Sequence, residues 1–352
     1  MTRQRIFRRR VGNGTLAALM AVAVLGGASV DSTLGWDEEG HAIVTRVALR
    51  GLPAAMPEWV RSASVESRLV YLSAEPDRWR GQNNVHLDHI NKPDHFLDRE
   101  LLLPYGLDFA SLPPLRREFT DVLATQRALH PDKFGPYARE RDADYTHRVP
   151  GLLPYTIAEW QWKAASSWST LKTYEKHRAD VTDEMLRNAR ENVIFHMGIL
   201  SHFVADGAQP LHTTVHYNGW GEPNPHGYTT SHKFHQYIDG GVLRHHGITR
   251  DSLLSRARPA AHVSTSDYWK DICRYLERTH DQMEPLYAME KSGRLDKAEG
   301  KTFIENRLLT GGAMLAGIWA SAYEGAVIDE FLEKRIASHP LRASRVLQPK
   351  GR

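Results

Sequence analysis

The chain has 352 residues, with 45 Lys and Arg against 42 Asp and Glu, so bulk charge gives no footprint for binding a polyanion. Its one cysteine, Cys273, excludes an intrachain disulfide, which leaves packing or metal ions to staple the fold. The length suits one large domain with a substantial core, and no low-complexity run divides it.

The chain opens on a basic stretch (Arg3, Arg5, Arg8, Arg9, Arg10), continues through an apolar run at 16–30, and reaches Gly35 through small polar residues, the layout of a secretory signal. The apolar run is short for a stable membrane span and is interrupted by Gly26 and Gly27, so export with cleavage is expected rather than anchoring. On this reading residues 1–35 are a signal peptide, 36–340 the functional domain and 341–352 a disordered tail, and the protein is secreted or periplasmic. Losing the leader removes five arginines and Asp31, which moves the formal charge from +3 to about −1. Cleavage after Gly35 would start the mature chain at Trp36 and free an α-amino group beside His41; cleavage after Ser29 or Ser32 would leave Trp36 an ordinary aromatic.

Helical periodicity recurs at 42–49, 155–171, 182–206, 266–276 and 303–332, while alternating strand runs are scarce, which predicts an all-α single domain. Trp160, Trp162 and Trp168 read as helix packing. Arg116-Arg117 and Arg139 with Arg141 read as solvated helix faces, or as local patches that steer polyanions.

The chemistry-bearing pattern lies near the middle. His202 and Asp206 stand four residues apart at the end of the predicted 182–206 helix, one turn apart on one face, so both can reach one ion. Pro210 ends the helix and lets His212 return from the following loop. Zinc accepts imidazole nitrogen and carboxylate oxygen, so the leading expectation is a zinc enzyme. The bland alternative is an amphipathic helix whose histidines are merely hydrogen-bonded. A second pair, His235 and Asp239, shows the same helical spacing after a turn-rich loop at 220–230. His216, His226 and His232 are extra candidate ligands, against the reading that surplus imidazoles often line a site wall without binding metal.

Trp36-x3-Gly40-His41, the Pro76-Asp77 turn, Pro93-Asp94-His95-Phe96, His202-x3-Asp206-x5-His212 and His235-x3-Asp239 follow one another in an order that resembles a single superfamily, the secreted fungal single-strand-specific nucleases and the bacterial zinc-dependent phospholipases C. The resemblance spans about 36–239, and 303–332 looks like that family's last helix. It implies an all-helical domain holding three zinc ions in a cleft. Asp77, His95, His202 and Asp206 would bind one ion; His212, His235 and Asp239 a second; and the amino and carbonyl groups of Trp36 with His41 a third, bridged by Asp206. His86, Asp88, His89 and Asp94 compete in sequence for the places of Asp77 and His95.

A phosphodiester is anionic and repels hydroxide, so cations must neutralise its oxygens and activate water as the nucleophile. The expected activity is a zinc-dependent phosphodiesterase, with Asp206 bridging ions, Asp77 orienting or deprotonating the water, and Arg78 or Arg80 either adding charge near phosphate or forming surface salt bridges. Trp36-x4-His41 and the His-x3-Asp pair look like the nuclease branch, making single-stranded DNA or RNA the expected substrate and phospholipid the alternative. The stretch from His95 to His202 is longer than in either branch, and Ser231-His-Lys-Phe-His235 departs from the family's element before the final pair. A zinc-binding envelope protein without catalysis is the non-enzymatic reading. No obligate protein partner is evident.

Overall fold

The computed structural model describes residues 36–134 and 139–338, and among these the only β pairing is an isolated bridge between Leu97 and Gly151. The rest is helix and connecting loop. The helices are, in chain order, α1 (Glu38–Gly51), α2 (Ala63–Leu72), α3 (Glu75–Arg80), α4 (Val85–Asn91), α5 (Arg99–Leu102), α6 (Arg116–Leu129), α7 (Pro131–Phe134), α8 (Leu153–Lys176), α9 (Asp183–Asp206), α10 (Phe234–Gln236), α11 (Val242–His246), α12 (Tyr268–His280), α13 (Met283–Lys291), α14 (Ala298–Gly325) and α15 (Glu330–Ser338). This is the all-α single domain that the periodicity predicted. The signal peptide expected at 1–35 and the disordered tail expected at 341–352 lie outside the described residues.

Four long elements make the core. Helices α8 and α9 pair along their length, α14 packs on both α8 and α1, and α2 closes over α9. Helix α9 begins where Thr182 caps it, its side chain accepting from the Met185 N–H at 3.2 Å. Its second half changes character: every residue from Met197 to Asp206 is buried, so the usual polar face of a surface helix is absent there. Burial of Leu200, Phe203 and Val204 is worth about 1.5–3 kcal/mol each, and this supports the neighbouring polar residues, His202 and Asp206, in the interior. Close approach relies on glycine. A Cβ at Gly198 would lie 2.5 Å from Leu72 Cβ, and one at Gly312 would lie 2.4 Å from Val47 Cγ1.

Two predicted elements are corrected. The helix expected over 303–332 stops at Gly325; the chain extends through Ala326, and Asp329 then starts α15 by accepting from the Leu332 N–H at 2.9 Å, while its own N–H donates to Thr173 Oγ1. The regular helix expected through His235 and Asp239 is a short turn, α10, that widens into a π-helical segment at Tyr237–Gly241. The tryptophan set also divides. Trp168 is buried, Trp160 is half-buried against Phe195 and His196, and Trp162 is 52% exposed with its edge on Tyr268. No helix among the described residues is long and apolar enough to cross a membrane.

Candidate metal centre

Six separate segments meet at the C-terminal end of α9. Helix α1 brings His41, α3 brings Asp77, the 3-10 turn Lys92–His95 brings His95, α9 brings His202 and Asp206, the 3-10 turn Pro210–Thr213 brings His212, and the α10 and π-helical stretch brings His235 and Asp239. These eight side chains fall into three groups able to hold a metal ion: His41, Asp77 and His202; His95, His202 and Asp206; and His212, His235 and Asp239.

Local structure explains each placement. Asp37 caps α1, accepting from the Gly40 N–H at 3.2 Å, and its own N–H donates to the Asp239 carbonyl at 3.1 Å, which ties the start of the first helix to the π-helical segment. Gly240 permits that contact, since a Cβ there would lie 1.9 Å from Asp37 Oδ2. The His95 turn is clamped by the segment after it: the N–H groups of Leu152 and Leu153 donate to the carbonyls of Pro93 and Phe96, and that of Asp98 donates to Pro150. Gly151, at φ 115, allows the crossing, because a Cβ would stand 2.1 Å from the Phe96 oxygen. Helix α9 ends at Asp206 and Pro210 opens the next turn, which swings His212 back toward His95.

Asp206 is the hub. Its Oδ2 lies 3.0 Å from His95 Nδ1 and 3.3 Å from His202 Nε2, while its Oδ1 faces His41 Nε2 at 3.5 Å and His212 at 3.9 Å. Asp77 Oδ1 stands 3.8 Å from His202 Nε2 and 3.9 Å from His95 Nδ1. The rings of His41 and His202 stack at 4.0 Å. On the other side His235 Nε2 is 3.5 Å from Asp239 Oδ2, and the His212 ring meets His235 edge-on at 5.1 Å.

Hydrogen bonds behind the cluster fix which nitrogen faces it. His202 Nδ1 lies 2.7 Å from the Ser73 carbonyl and His212 Nδ1 lies 2.6 Å from the His95 carbonyl. A carbonyl only accepts, so both Nδ1 atoms carry a proton, and each Nε2 is the nitrogen left to face the centre. Metal-bound histidines are held in this way. Gln209 Nε2 likewise donates to Asp239 Oδ1 at 2.8 Å.

The donor set fits metal ions on a further observation. Both ring nitrogens of His41 and of His235, Nε2 of His95 and of His212, and Oδ1 of Asp206 are buried without a hydrogen-bond partner. Buried polar atoms are nearly always partnered, and seven such atoms in one cluster are best satisfied by cations.

Electrostatics agree. Burial holds His41, His95 and His235 well below the ordinary imidazole value, with His202, Arg80 and His212 respectively adding repulsion, so these rings are neutral and ready to ligate. Burial also disfavours a charged His202, but Asp206 and Asp77 outweigh it and raise the group. Burial pushes Asp239 well up and Asp77 up. For Asp206 burial is overcome by His202 and His212, which hold it low.

The remaining predicted positions sort clearly. Trp36 is fully buried over the first turn of α1, where Gly40 makes room for its Cβ, and the bond from Asp37 to Asp239 holds its backbone beside the second pair. The competitors lie elsewhere: Asp88 pairs with Lys92, His89 with the Asp144 carbonyl and Asp94 with Arg116, and His86 is exposed. His216 stacks on Trp220, His226 faces Glu284, and neither they nor exposed His232 join a group. Arg78 is a surface residue, paired with Glu75 and set over the Tyr71 ring. Arg80 is not: its Nη1 lies 3.4 Å from Asp77 Oδ1, both side chains being nearly buried. Gln209 lies inside the His202-to-His212 block, but its bond to Asp239 is not readable from the sequence, and the Ser73 carbonyl has no sequence signal at all, because both roles depend on chain segments distant in sequence. In comparison with known proteins, no family model matches the chain and no curated protein matches it.

Proposed function

We propose that this protein is a secreted zinc-dependent phosphodiesterase that hydrolyses single-stranded DNA or RNA. The observation that carries the reading is the convergence of eight imidazoles and carboxylates, all buried but the slightly exposed Asp77 and several with unpartnered donor atoms, with Asp206 at their centre. Asp77, His95, His202 and Asp206 would hold one zinc ion, His212, His235 and Asp239 another, and His41 with the Trp36 backbone a third that shares Asp206. Bound there, zinc would acidify a water and polarise phosphate oxygens. Asp77, raised by burial and on the slightly exposed side of the cluster, would take the proton of the attacking water on a carboxylate oxygen. Arg80, pairing with Asp77, would steady the anionic phosphate through its guanidinium. The Trp36-x4-His41 and His235-x3-Asp239 spacings favour nucleic acid as substrate. Export with cleavage after Gly35, which frees the Trp36 amino group, belongs to the same reading.

A second reading, a phospholipase C on lipid head groups, is favoured by one observation: α4, which directly follows the helix of Asp77 and Arg80, exposes Val85 and Ile90 at 46% and 59%, apolar surface that could meet a bilayer. The test is to sequence the exported protein's N-terminus and assay single-stranded DNA, RNA and phosphatidylcholine side by side. The proposal predicts Trp36 as first residue, chelator-sensitive cleavage of nucleic acid, and a loss of about 100-fold or more in Asp206→Asn. Hydrolysis of lipid alone would replace the nuclease reading with the second one, and full activity in Asp206→Asn would reject both.

A further inference from the structure

Behind the His95 turn lies a groove of about 650 Å³, between α6, α4 and the segment that follows Asp142. It falls in the size range of small-molecule sites. Its walls are aliphatic, formed by Ile90, Pro93, Leu123, Val149 and Leu152, with Ala124 and Ala128 of α6 along one edge. No carboxylate lines it among the described residues, whereas Arg116, Arg127 and Arg148 do.

These arginines are not equivalent. Arg116 is neutralised, with Asp94 at 2.8 Å and Glu159 at 2.7 Å. Arg127 is different. It donates to the Arg148 carbonyl and lies 5.3 Å over the Tyr105 ring, and it meets no carboxylate among the described residues. The groove therefore offers an apolar wall next to a guanidinium that no carboxylate among the described residues neutralises. Of its two rings, the imidazole of His89 and the phenol of Tyr145, the latter has the guanidinium groups of Arg139 and Arg148 set over it at 5.3 and 5.9 Å. A nucleobase stacked on Tyr145 would have to compete with these guanidinium groups for the ring faces.

We infer that this groove binds an aliphatic carboxylate, with the hydrocarbon chain along Ile90, Leu123, Val149 and Leu152 and the carboxylate at the Arg127 guanidinium. Each methylene withdrawn from water favours an aliphatic guest, and arginine pairs with a carboxylate through two parallel hydrogen bonds. The site is separate in chemistry from the metal centre, which supplies imidazoles and carboxylates, and the inference does not rest on the phosphodiesterase reading. The two are neighbours nonetheless, because Pro93 of the groove and His95 of the centre share one 3-10 turn.

The test is calorimetric titration of the full chain with dodecanoate, dodecyltrimethylammonium, thymidine monophosphate and phosphatidylglycerol vesicles, repeated on Ala124→Trp and Arg127→Gln. Ala124 is exposed on α6, so a bulky residue there fills the groove without entering the core. Expected are saturable dodecanoate binding at least about tenfold tighter than that of the ammonium, a loss of about tenfold in Arg127→Gln, and no binding in Ala124→Trp at an unchanged unfolding temperature. The inference is overturned if the two amphiphiles bind alike, if thymidine monophosphate binds more tightly than dodecanoate, if Ala124→Trp still binds, or if only vesicles are bound.

Discussion

Asp206 turns its two oxygens to different partners, Oδ2 to His95 and His202 and Oδ1 to His41 and His212, so a single carboxylate faces imidazoles from all three ion-holding groups. Residues that touch the ligands from behind are as consequential. Gln209→Leu would leave Asp239 Oδ1 without its buried donor, and we expect metal affinity to fall about 10- to 100-fold, measured by competition with a chelating dye, with a stability loss of about 1–3 kcal/mol. An unaltered affinity would show that this bond does not orient the carboxylate. Arg80→Gln should instead lower phosphodiester turnover about tenfold or more while leaving the bound metal unchanged, as steady-state kinetics beside metal analysis would reveal. At this scale the sequence is informative where chemistry follows helical spacing: His202 and Asp206 announce a shared face. It is silent on the Ser73 carbonyl, which sits 129 residues from its imidazole partner and carries no side-chain signature.

The elements that hold the centre depart from regular helix where they reach it. The π-helical widening at Tyr237–Gly241 accompanies the contact of Asp239 and Gly240 with Asp37, so the first helix and the second ligand pair are positioned together. Gly240→Ala tests this. Its Cβ would meet Asp37 Oδ2 at 1.9 Å, and we expect a destabilisation of about 1–3 kcal/mol in denaturant unfolding together with weaker metal binding. Wild-type behaviour in both measurements would mean that the contact yields freely. The regular part of the architecture was legible: residues 42–49 and 155–171 fall within helices, 182–206 matches α9 with Thr182 as its cap, and 266–276 overlaps α12 from Tyr268 onward, because a long apolar stripe at helical period leaves few alternatives. The pattern failed at the break after Gly325, where apolar residues continue but a bond from the Asp329 N–H to Thr173 redirects the chain. It also failed at α2, α3, α4 and α6, which are short or only weakly buried and gain their helical state from tertiary contacts.

The whole molecule concentrates unneutralised chemistry at one end of its core, and stability should reflect that. His41, His95 and His235 have folded values below the ordinary imidazole value, so their contribution is present above about pH 6.5 and is lost as pH falls. Asp77 and Asp239 have folded values above the ordinary carboxylate value, so theirs is present below about pH 4 and is lost as pH rises through the raised values. Without metal these demands oppose each other near neutrality. Cations favour the deprotonated form of every ligand, so added zinc should raise the unfolding temperature by more than about 5 °C at pH 7.5, and by less at pH 5.5, where protons compete. Differential scanning calorimetry on the chelated protein decides this, and a larger gain at the lower pH would reverse the assignment.

The most direct measurement is the metal content of the purified protein after equilibration with zinc and removal of unbound ion. On the proposed ligand sets three zinc ions per chain are predicted, falling to one in Asp206→Asn, because Asp206 would serve two of those ions and is absent from the group of His212, His235 and Asp239. A chain that retains no zinc, or an Asp206→Asn variant that retains as much as the wild type, would contradict a metal centre built around this carboxylate.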